Sequence, residues 1–233
     1  HMVQTNTVVA PGHSAGVIRI RDFEGLIAAT TDGNDLWCQL DPYHGTQSVV
    51  AEAARNLVAC GAEPLAVTNN LNFGSPRQPN GAWQFAAAVR GLRDACRSFE
   101  TRITGGHVSL YNVSPRPAFF PSPVIGLLGA IESRAHLTRS HFQKEGEAIL
   151  LVGPAATHCG GSRILKQHAG KLVGPALKID LEVEKAVQNF VLDAIHNGLI
   201  TGASDIGDGG LAMTLIEMTL SGNSRMGCRV TLP

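Results

Sequence analysis

The sequence has few aromatic residues, few charged residues and no excess of either charge. Aromatic side chains make up 5% of the 233 residues and charged ones 16%, and 19 lysines and arginines balance 19 aspartates and glutamates. A neutral chain without basic blocks lacks the positive surface that binds nucleic acids and anionic membranes. No apolar run reaches the ~18 residues that span a bilayer, and no secretory signal opens the chain. We therefore expect no nucleic acid and no membrane among its partners.

Cysteine usage argues against two further classes of site. The five cysteines are odd in number and scattered, and none forms a C-x-x-C pair. This disfavours a disulfide framework and a thiolate zinc site, and it favours a reducing compartment. The chain also lacks H-E-x-x-H, the P-loop spacing and the G-x-G-x-x-G fingerprint. Because 44% of the residues are apolar and the length suits two small domains, we expect a globular protein of two domains. The cysteine usage leads us to expect it in the cytoplasm.

Hydrophobic patterning predicts strands and helices in two successive blocks. Apolar or β-branched runs predict strands at 17–20, 26–31, 65–68, 124–131 and 148–152, and residues 229–233 resemble the start of another strand. Apolar residues at helical spacing predict helices around 50–57, 85–99, 183–194 and 211–218. The pattern restarts near residue 146. We therefore place a domain boundary near residues 133–146, which divides the chain into a first domain over 1–135 and a second over 136–233.

A carboxylate and an amide lie four residues apart on the first long predicted helix. Glu52 and Asn56 fall on one side of this helix, away from the apolar stripe of Val50, Ala54 and Leu57. Oxygen atoms so placed can hold a hard cation such as magnesium. The same spacing is typical of an ordinary solvated helix face. Spacing alone leaves both interpretations open.

Three glycine-rich segments have compositions that suit phosphate. Segment 104–109 follows an apolar stretch, and we expect it to form a loop that exposes backbone N–H groups to a ligand. Segment 160–162 lies between a predicted strand and a helix. Segment 204–210 holds Asp205 and Asp208, which suit either helix capping or a nucleotide-bound magnesium ion. Glycine pairs are common in turns and a loop histidine such as His107 is most often structural, so composition alone does not decide.

Several longer motifs occur in an order that resembles one family. They are Thr-Asp-Gly-Asn at 31–34, Leu-Asp-Pro at 40–42, Ala-Glu-Ala-Ala-Arg-Asn at 51–56, Leu-Asn-Phe-Gly at 71–74, Val-Ser-Leu-Tyr-Asn at 108–112, and the aspartate–glycine segment at 204–212. In this order they resemble formylglycinamide ribonucleotide amidotransferase, also called phosphoribosylformylglycinamidine synthase. The resemblance is collinear and covers essentially the whole chain.

The resemblance implies the fold shared with aminoimidazole ribonucleotide synthetase. In that fold a β-rich N-terminal domain with flanking helices, here expected over 1–135, is followed by an α/β domain, here expected over 136–233, so the expected fold class is α+β or α/β. The family's synthetase subunit is an internal duplication of this pair of domains. This chain is similar to the second copy, with an incomplete α/β domain, so we expect a fragment of a longer protein. The family's catalytic histidine belongs to the first copy, and we assign no catalytic residue here.

The resemblance also implies an ATP-dependent ligase of de novo purine synthesis. In the family, ATP phosphorylates the amide oxygen of formylglycinamide ribonucleotide, and ammonia derived from glutamine displaces the phosphate to form an amidine. The expected ligands are therefore ATP and Mg2+. The expected partners are a glutaminase subunit or domain, a small accessory subunit and the first half of the same synthetase, together with self-association. As a fragment, the chain should be inactive alone.

Carried over by position, the resemblance assigns residues to a main nucleotide and substrate site. The ATP contacts fall on Asn69, where the family has aspartate, and on Gly106. The family's magnesium-binding asparagine falls on His107, a nitrogen donor where magnesium prefers oxygen. The substrate-contacting serine of the family is Ser109.

A second, auxiliary nucleotide site of large relatives is also implied. Its magnesium-binding positions match Glu52, Asn56 and Asp205. A further aspartate of that site is replaced here by Ser14, and this replacement weakens the case for an auxiliary nucleotide in this chain.

Three functions remain open from the sequence. The first is half of a purine-synthesis ligase that contributes to a composite site. The second is a non-catalytic nucleotide-binding module, which the replacements at Ser14, Asn69 and His107 would suit. The third is a related ATP-dependent enzyme, such as a thiamine-phosphate kinase or a selenophosphate synthetase. The third is disfavoured because those relatives lack the stretches at 71–74 and 108–112.

Overall fold

The computed structural model of the protein describes residues 6–10, 12–22, 24–112, 119–154, 157–222 and 226–231. Within these residues the chain forms one mixed sheet and six α-helices. No helix in the described part of the chain is long and apolar enough to cross a membrane. At the predicted C-terminal strand, residues 229–231 are irregular, and residues 232 and 233 lie outside the described residues.

A six-stranded sheet forms the centre of the first half of the chain. Its strands are β1 (Thr7–Val9), β2 (Gly16–Arg19), β3 (Leu26–Gly33), β4 (Glu63–Asn72), β5 (Arg102–Ser109) and β6 (Ser122–Ile131). They lie in the order β1-β2-β3-β6-β4-β5. Neighbouring strands are antiparallel except for β4 and β5. That pair is parallel because the connection between its strands contains a long helix.

The described residues form six α-helices, of which four have a side-chain cap at the N-terminus and two do not. They are α1 (Asp35–Leu40), α2 (Pro42–Ala59), α3 (Pro79–Ser98), α4 (Arg163–Ala169), α5 (Leu181–His196) and α6 (Gly210–Leu220). Asp41 accepts hydrogen bonds from the N–H groups of Tyr43 and His44, and Pro42 occupies the first turn, so α2 starts there. Asp180 caps α5 in the same way. The four predicted helices are confirmed as α2, α3, α5 and α6.

The core lies between one face of the sheet and helices α2 and α3. Val50, Ala54 and Leu57, which form the predicted apolar stripe, are fully buried. They belong to one buried cluster with sheet residues of the covered face, namely Leu26, Val67, Ile125, Leu127 and Ile131. Helix α3 comes so close to α2 that a Cβ on Gly91 would collide with the carbonyl oxygen of Tyr43. This close packing fixes the position of α2 against the sheet.

The opposite face of the sheet is not covered by any described segment. On it, Val124 is 37% exposed and Leu128 is 47% exposed. Ala29, which pairs with Leu128, is exposed as well. An uncovered sheet face is usually polar, and contiguous apolar side chains on a surface mark a place where another molecule packs. We call this surface, lined by Ala29, Val124 and Leu128, the open face.

In the second half of the chain, the described residues form helices α4, α5 and α6, which irregular segments separate. The predicted strand at 148–152 is wrong: these residues are irregular, and Leu150 is 79% exposed, because no described segment pairs with them. Helix α5 packs on α2, and an ion pair of 3.0 Å between Arg55 and Glu184 joins the two helices. The division of the chain between residues 135 and 136 stays a prediction.

The structure also contradicts the prediction of a loop at 104–109. It belongs to β5, because residues 105–109 pair in register with residues 68–72 of β4. Its side chains are exposed on both faces of the strand, so they show none of the alternation that predicts a strand from sequence. The other predicted strands, at 17–20, 26–31, 65–68 and 124–131, are confirmed by β2, β3, β4 and β6. Strand β1 and helices α1 and α4 were not predicted.

Candidate functional site

The predicted site residues gather toward one edge of the sheet. Strands β3, β4 and β5 run in the same direction, since β3 and β4 are both antiparallel to β6 and β5 is parallel to β4. Their last residues, Gly33, Asn72 and Ser109, therefore lie at the same edge. In open sheets of α/β proteins, ligands bind outside the carboxyl ends of the strands.

Helix α2 presents Glu52 and Asn56 to strand β3 at this edge. Asn56 is only 9% exposed, and its amide nitrogen donates to the carboxylate of Asp32 at 3.1 Å. The Thr30 hydroxyl donates to the same carboxylate at 3.2 Å. The interpretation of this helix side as a solvated face is therefore wrong for Asn56, while Glu52 is half-buried.

Asp205 reaches the same group from the second half of the chain. It lies in the loop before α6, and the Thr214 hydroxyl donates to its carbonyl oxygen at 3.4 Å. A Cβ on Gly207 would lie 3.2 Å from the Glu52 carboxylate and 3.6 Å from the Asp205 carboxylate. The two carboxylates thus flank one backbone position. The structure brings Glu52, Asn56 and Asp205 together and adds Asp32; we call these four residues the acidic group.

Burial raises the pKa of three carboxyl groups in the acidic group. For Glu52, burial is the largest cause and the charge of Asp32 adds to it, so that its pKa rises to about 7. Burial is also the largest cause of the raised pKa values of Asp32 and Asp205. Arg55 opposes all three increases, but its guanidinium is paired with Glu184 at 3.0 Å. A bound cation would therefore stabilise the ionised form of the acidic group.

The donor atoms of the acidic group suit magnesium better than a transition metal. Carboxylate and amide oxygens are typical ligands of hard cations. In the described part of the chain, no three His, Cys, Asp or Glu side chains converge closely enough to hold a metal by themselves. Mg2+ is usually held by one or two carboxylates together with phosphate and water oxygens. The group therefore fits a cation that arrives with a phosphate ligand, which Glu52, Asn56 and Asp205 would hold.

A single row across the sheet links the acidic group to Asn69 and Gly106. The register pairs Asp32 with Ile125, Ile125 with Asn69, and Asn69 with Gly106. Paired residues point to the same face, and Ile125 is fully buried on the helix-covered face. With strands about 4.8 Å apart, the Cα atoms of Asp32 and Asn69 are about 10 Å apart. The acidic group and the pair Asn69–Gly106 therefore line the same face of the sheet.

Asn69 and Gly106 lie side by side on β4 and β5. The Asn69 amide nitrogen donates to the carbonyl oxygen of Gly105 at 3.3 Å. A Cβ on Gly106 would lie 2.6 Å from both polar atoms of the Asn69 amide, whereas a Cβ on Gly105 would meet nothing within 4 Å. Of the two glycines, it is therefore Gly106 that the close approach of Asn69 requires.

His107 occupies a different face of the same strand. It pairs with Asn70 of β4, one position beyond Gly106, and it is exposed. Successive residues of a strand point to opposite faces, so its ring lies on the opposite face from Asn69. An imidazole offers nitrogen where Mg2+ prefers oxygen. The surroundings of His107 do not support a magnesium ligand, and that assignment stays a prediction.

Ser109 ends β5 and is tied to the chain that follows it. Its hydroxyl lies 3.3 Å from the side-chain oxygen of Asn112. The Asn112 amide nitrogen donates to the carbonyl oxygens of Phe73 at 3.0 Å and Ser109 at 2.9 Å. Tyr111, between them, adopts a left-handed conformation with φ of 68°. The motifs at 71–74 and 108–112, far apart in sequence, therefore meet at the carboxyl edge.

Two of the glycine-rich segments have structural partners that explain part of their composition. Ser162 caps α4 by accepting a hydrogen bond from the Leu165 N–H at 3.2 Å, and a Cβ on Gly160 would collide with Pro175. Asp208 is exposed and lies 3.8 Å from Arg163. Neither segment adds a ligand-binding side chain to the acidic group beyond Asp205.

Sequence reasoning missed one residue of this site and one motif elsewhere in the chain. Asp32 was not assigned to the site. It stands in the Thr-Asp-Gly-Asn motif at the end of a predicted strand, and this position could have indicated it. Residues 12–16, Gly-His-Ser-Ala-Gly, match the G-x-S-x-G pattern of serine hydrolases. The segment connects β1 to β2, whereas a nucleophile elbow requires a turn from strand to helix. We therefore assign no nucleophile to Ser14.

Family models match both halves of the chain. The model of the AIR synthase related protein N-terminal domain matches residues 12–131, and that of the C-terminal domain matches residues 144–232. The phosphoribosylformylglycinamidine synthase subunit PurL of Synechococcus sp. (strain JA-3-3Ab) is 46% identical over 237 residues, which is 95% of this chain and 31% of that protein. The chain thus spans less than a third of the length of this curated relative.

Solved structures show the same fold. T. maritima PurL complexed with AMPPCP is 34% identical over 60% of this chain and 24% of its own, with a TM-score of 0.54. T. maritima PurL complexed with ATP matches 98% of this chain and 33% of its own with a TM-score of 0.67; its identity is 24%, so it bears on the fold alone. The predicted fold class is confirmed, and the chain belongs to the family of AIR synthase related proteins.

Proposed function

We propose that this chain is part of phosphoribosylformylglycinamidine synthase, an ATP-dependent ligase of purine biosynthesis. The whole enzyme would convert formylglycinamide ribonucleotide, glutamine-derived ammonia and ATP to formylglycinamidine ribonucleotide, ADP and phosphate. The observation that carries the proposal is the 46% identity to a PurL subunit over 95% of the chain. Structures of T. maritima PurL have been solved with AMPPCP, with ATP and with FGAR. These ligands match the proposed ones, ATP and formylglycinamide ribonucleotide (FGAR).

The main site would use residues of β4 and β5. Asn69 and Gly106 would contact ATP, and the Ser109 hydroxyl would contact the ribonucleotide substrate. The carboxyl-edge position of these strands and the close approach of Asn69 to Gly106 support this assignment. Mg2+, when bound, would neutralise phosphate charge. We assign no catalytic residue in this chain.

The acidic group would serve as the auxiliary nucleotide and magnesium site. Its support is the convergence of Glu52, Asn56 and Asp205, with Asp32 as an additional member. The raised carboxyl pKa values also indicate a place where a cation is favoured. A phosphate-bound magnesium ion fits these oxygens.

The partners would pack on surfaces that the chain leaves uncovered. The open face would pair with the first half of the same synthetase or with a second copy of the chain, because its apolar residues are exposed. A glutaminase subunit or domain and a small accessory subunit would complete the enzyme; a PurLQS assembly of T. maritima has been solved. We place the enzyme in the cytoplasm, since five scattered cysteines suit a reducing compartment.

The test is an ammonia-dependent assay of the full-length polypeptide that contains this chain. With ATP, magnesium and formylglycinamide ribonucleotide, the full-length protein should form the amidine product, and Ser109→Ala should raise the KM for the ribonucleotide. The isolated chain should form none, even with ammonia supplied directly. Absence of product from the folded full-length protein would contradict the proposed function, and turnover by the isolated chain would contradict its inactivity alone.

A second candidate function is a non-catalytic nucleotide-binding module. The replacements at Asn69, His107 and Ser14 favour it, since each removes an oxygen ligand or changes its chemistry. Equilibrium dialysis with labelled ADP separates the two functions. Tight binding of ADP by a full-length protein that forms no product would support the module and exclude the ligase.

A further inference from the structure

We propose that Asn112 is a positioning residue that fixes the Ser109 hydroxyl for the substrate. This proposal rests on the proposed function, in which Ser109 contacts the ribonucleotide. Asn112 itself is not assigned to ATP, magnesium or substrate. It would act through Ser109 and through the junction of the motifs at 71–74 and 108–112.

The orientation of the Asn112 amide is determined by its partners. Its nitrogen lies 3.0 Å from the carbonyl oxygen of Phe73 and 2.9 Å from that of Ser109. Both partners are acceptors, so the side-chain nitrogen must face them; a flipped amide would place three oxygen atoms together. The side-chain oxygen is thereby directed at the Ser109 hydroxyl, 3.3 Å away.

The junction is anchored in the core through Phe73. The Phe73 ring is fully buried and meets Phe85 edge-on, with the ring centres 5.4 Å apart. The Phe73 N–H donates to the Ser109 carbonyl oxygen at 3.0 Å, and the Asn112 N–H donates to the Phe73 carbonyl oxygen at 3.2 Å. Ser109 and Asn112 are therefore both hydrogen-bonded to one fully buried residue, although they lie in a half-buried segment.

This arrangement fixes the direction in which the Ser109 hydroxyl donates its hydrogen bond. Because the Asn112 oxygen can only accept, the hydroxyl proton points to Asn112 and the oxygen lone pairs face the opposite side. Ser109 is thus prepared to accept a hydrogen bond from an N–H or O–H group of the substrate. Without Asn112 the hydroxyl would rotate freely, and binding would have to order it.

A double-mutant cycle in the full-length enzyme tests this role. Asn112→Ala should raise the KM for formylglycinamide ribonucleotide about fivefold, the effect of one hydrogen bond, and leave the KM for ATP within about twofold. In a Ser109→Ala background the same substitution should change the ribonucleotide KM less than about twofold. Asn112→Asp keeps the oxygen that faces Ser109 but loses both N–H donors, so it should fail to restore the wild-type KM.

The matched control is Asn197→Ala. Asn197 is an exposed asparagine whose amide donates to the Asp193 carbonyl oxygen at 2.7 Å, in the second half of the chain. Its loss should leave both KM values unchanged. If Asn112→Ala raised the ribonucleotide KM equally in the wild-type and Ser109→Ala backgrounds, the proposal would be overturned, because Asn112 would then act independently of Ser109.

Hydrogen exchange measured without substrate decides the positioning role even if the protein proves to be no ligase. In Asn112→Ala, the amide of Phe73, which donates to Ser109, should exchange at least about tenfold faster, and amides of β6 should keep their wild-type rates. Unchanged exchange at Phe73 would overturn the proposal. Absence of product from wild-type enzyme, with faster exchange in the variant, would contradict only the proposed function.

Discussion

Glu52 shows at the scale of one residue how burial changes a carboxyl group. Burial and the neighbouring Asp32 charge raise its pKa from 4.5 to about 7. Between these values the folded state binds more protons than the unfolded state, so the Glu52 contribution to the free energy of unfolding falls as pH rises. Without a bound cation, ionised Glu52 therefore destabilises the fold above about pH 7.

We predict that Glu52→Gln stabilises the cation-free chain by about 2 kcal/mol near pH 8, because the amide mimics the protonated acid. Near pH 4.5, where Glu52 is protonated in the folded state, the gain should disappear. Urea unfolding at both pH values, in the presence of a chelator, measures the difference. Glu145→Gln, at an exposed turn, is the control and should change little. A loss of stability near pH 8 on Glu52→Gln would contradict the prediction.

Gly106 and Gly105 offer a second comparison between single residues. A Cβ on Gly106 would displace the Asn69 amide, whereas a Cβ on Gly105 would enter open space. We predict that Gly106→Ala raises the KM for ATP of the full-length enzyme about fivefold or more, the cost of about one lost hydrogen bond. Gly105→Ala should leave it near wild type. Steady-state kinetics over a range of ATP concentrations checks this, and equal effects of the two substitutions would count against the Asn69–Gly106 assignment.

At the scale of elements, α2 positions Glu52 and Asn56 and also forms the centre of the core. Its start depends on Asp41, which accepts hydrogen bonds from two backbone N–H groups. We predict that Asp41→Ala lowers the free energy of unfolding by about 1 kcal/mol. Asp35→Ala is the matched control, since Asp35 lies in the first turn of α1, which Asn34 caps. Urea denaturation compares the two, and similar losses would show that the cap is not the source of stability.

Elements differed in how well their sequences predicted them. Helices α2, α3 and α5 carry their apolar residues at helical spacing, so the local pattern was sufficient. Strand β5 carries exposed side chains on both faces, and its strand conformation comes from pairing with β4. The apolar run at 148–152 was predicted as a strand for its composition, yet strand formation needs a partner, and no described segment provides one.

At the scale of the whole molecule, the open face predicts association. Leu128 stands near its middle, paired with Ala29 of β3 and Ala66 of β4. We predict that the isolated chain self-associates at micromolar concentration and that Leu128→Glu makes it monomeric, because a buried unpaired charge opposes packing. Sedimentation equilibrium measures this. Leu199→Glu, at a residue 78% exposed in the second half, is the control; a monomeric wild-type chain would exclude the interface.

The sequence by itself determined the family, the amphipathic helices and the pair Glu52–Asn56, because each is a property of contiguous or nearly contiguous residues. The family resemblance assigned Asp205 to the same site, and only the tertiary structure brought the three residues together and added Asp32. Asp32 arrives on β3 and Asp205 on a loop of the second half, more than a hundred residues apart in the chain. Likewise, Asn112 meets Phe73 only because β4 and β5 lie in parallel register. Such meetings depend on long-range packing, which local patterns do not encode.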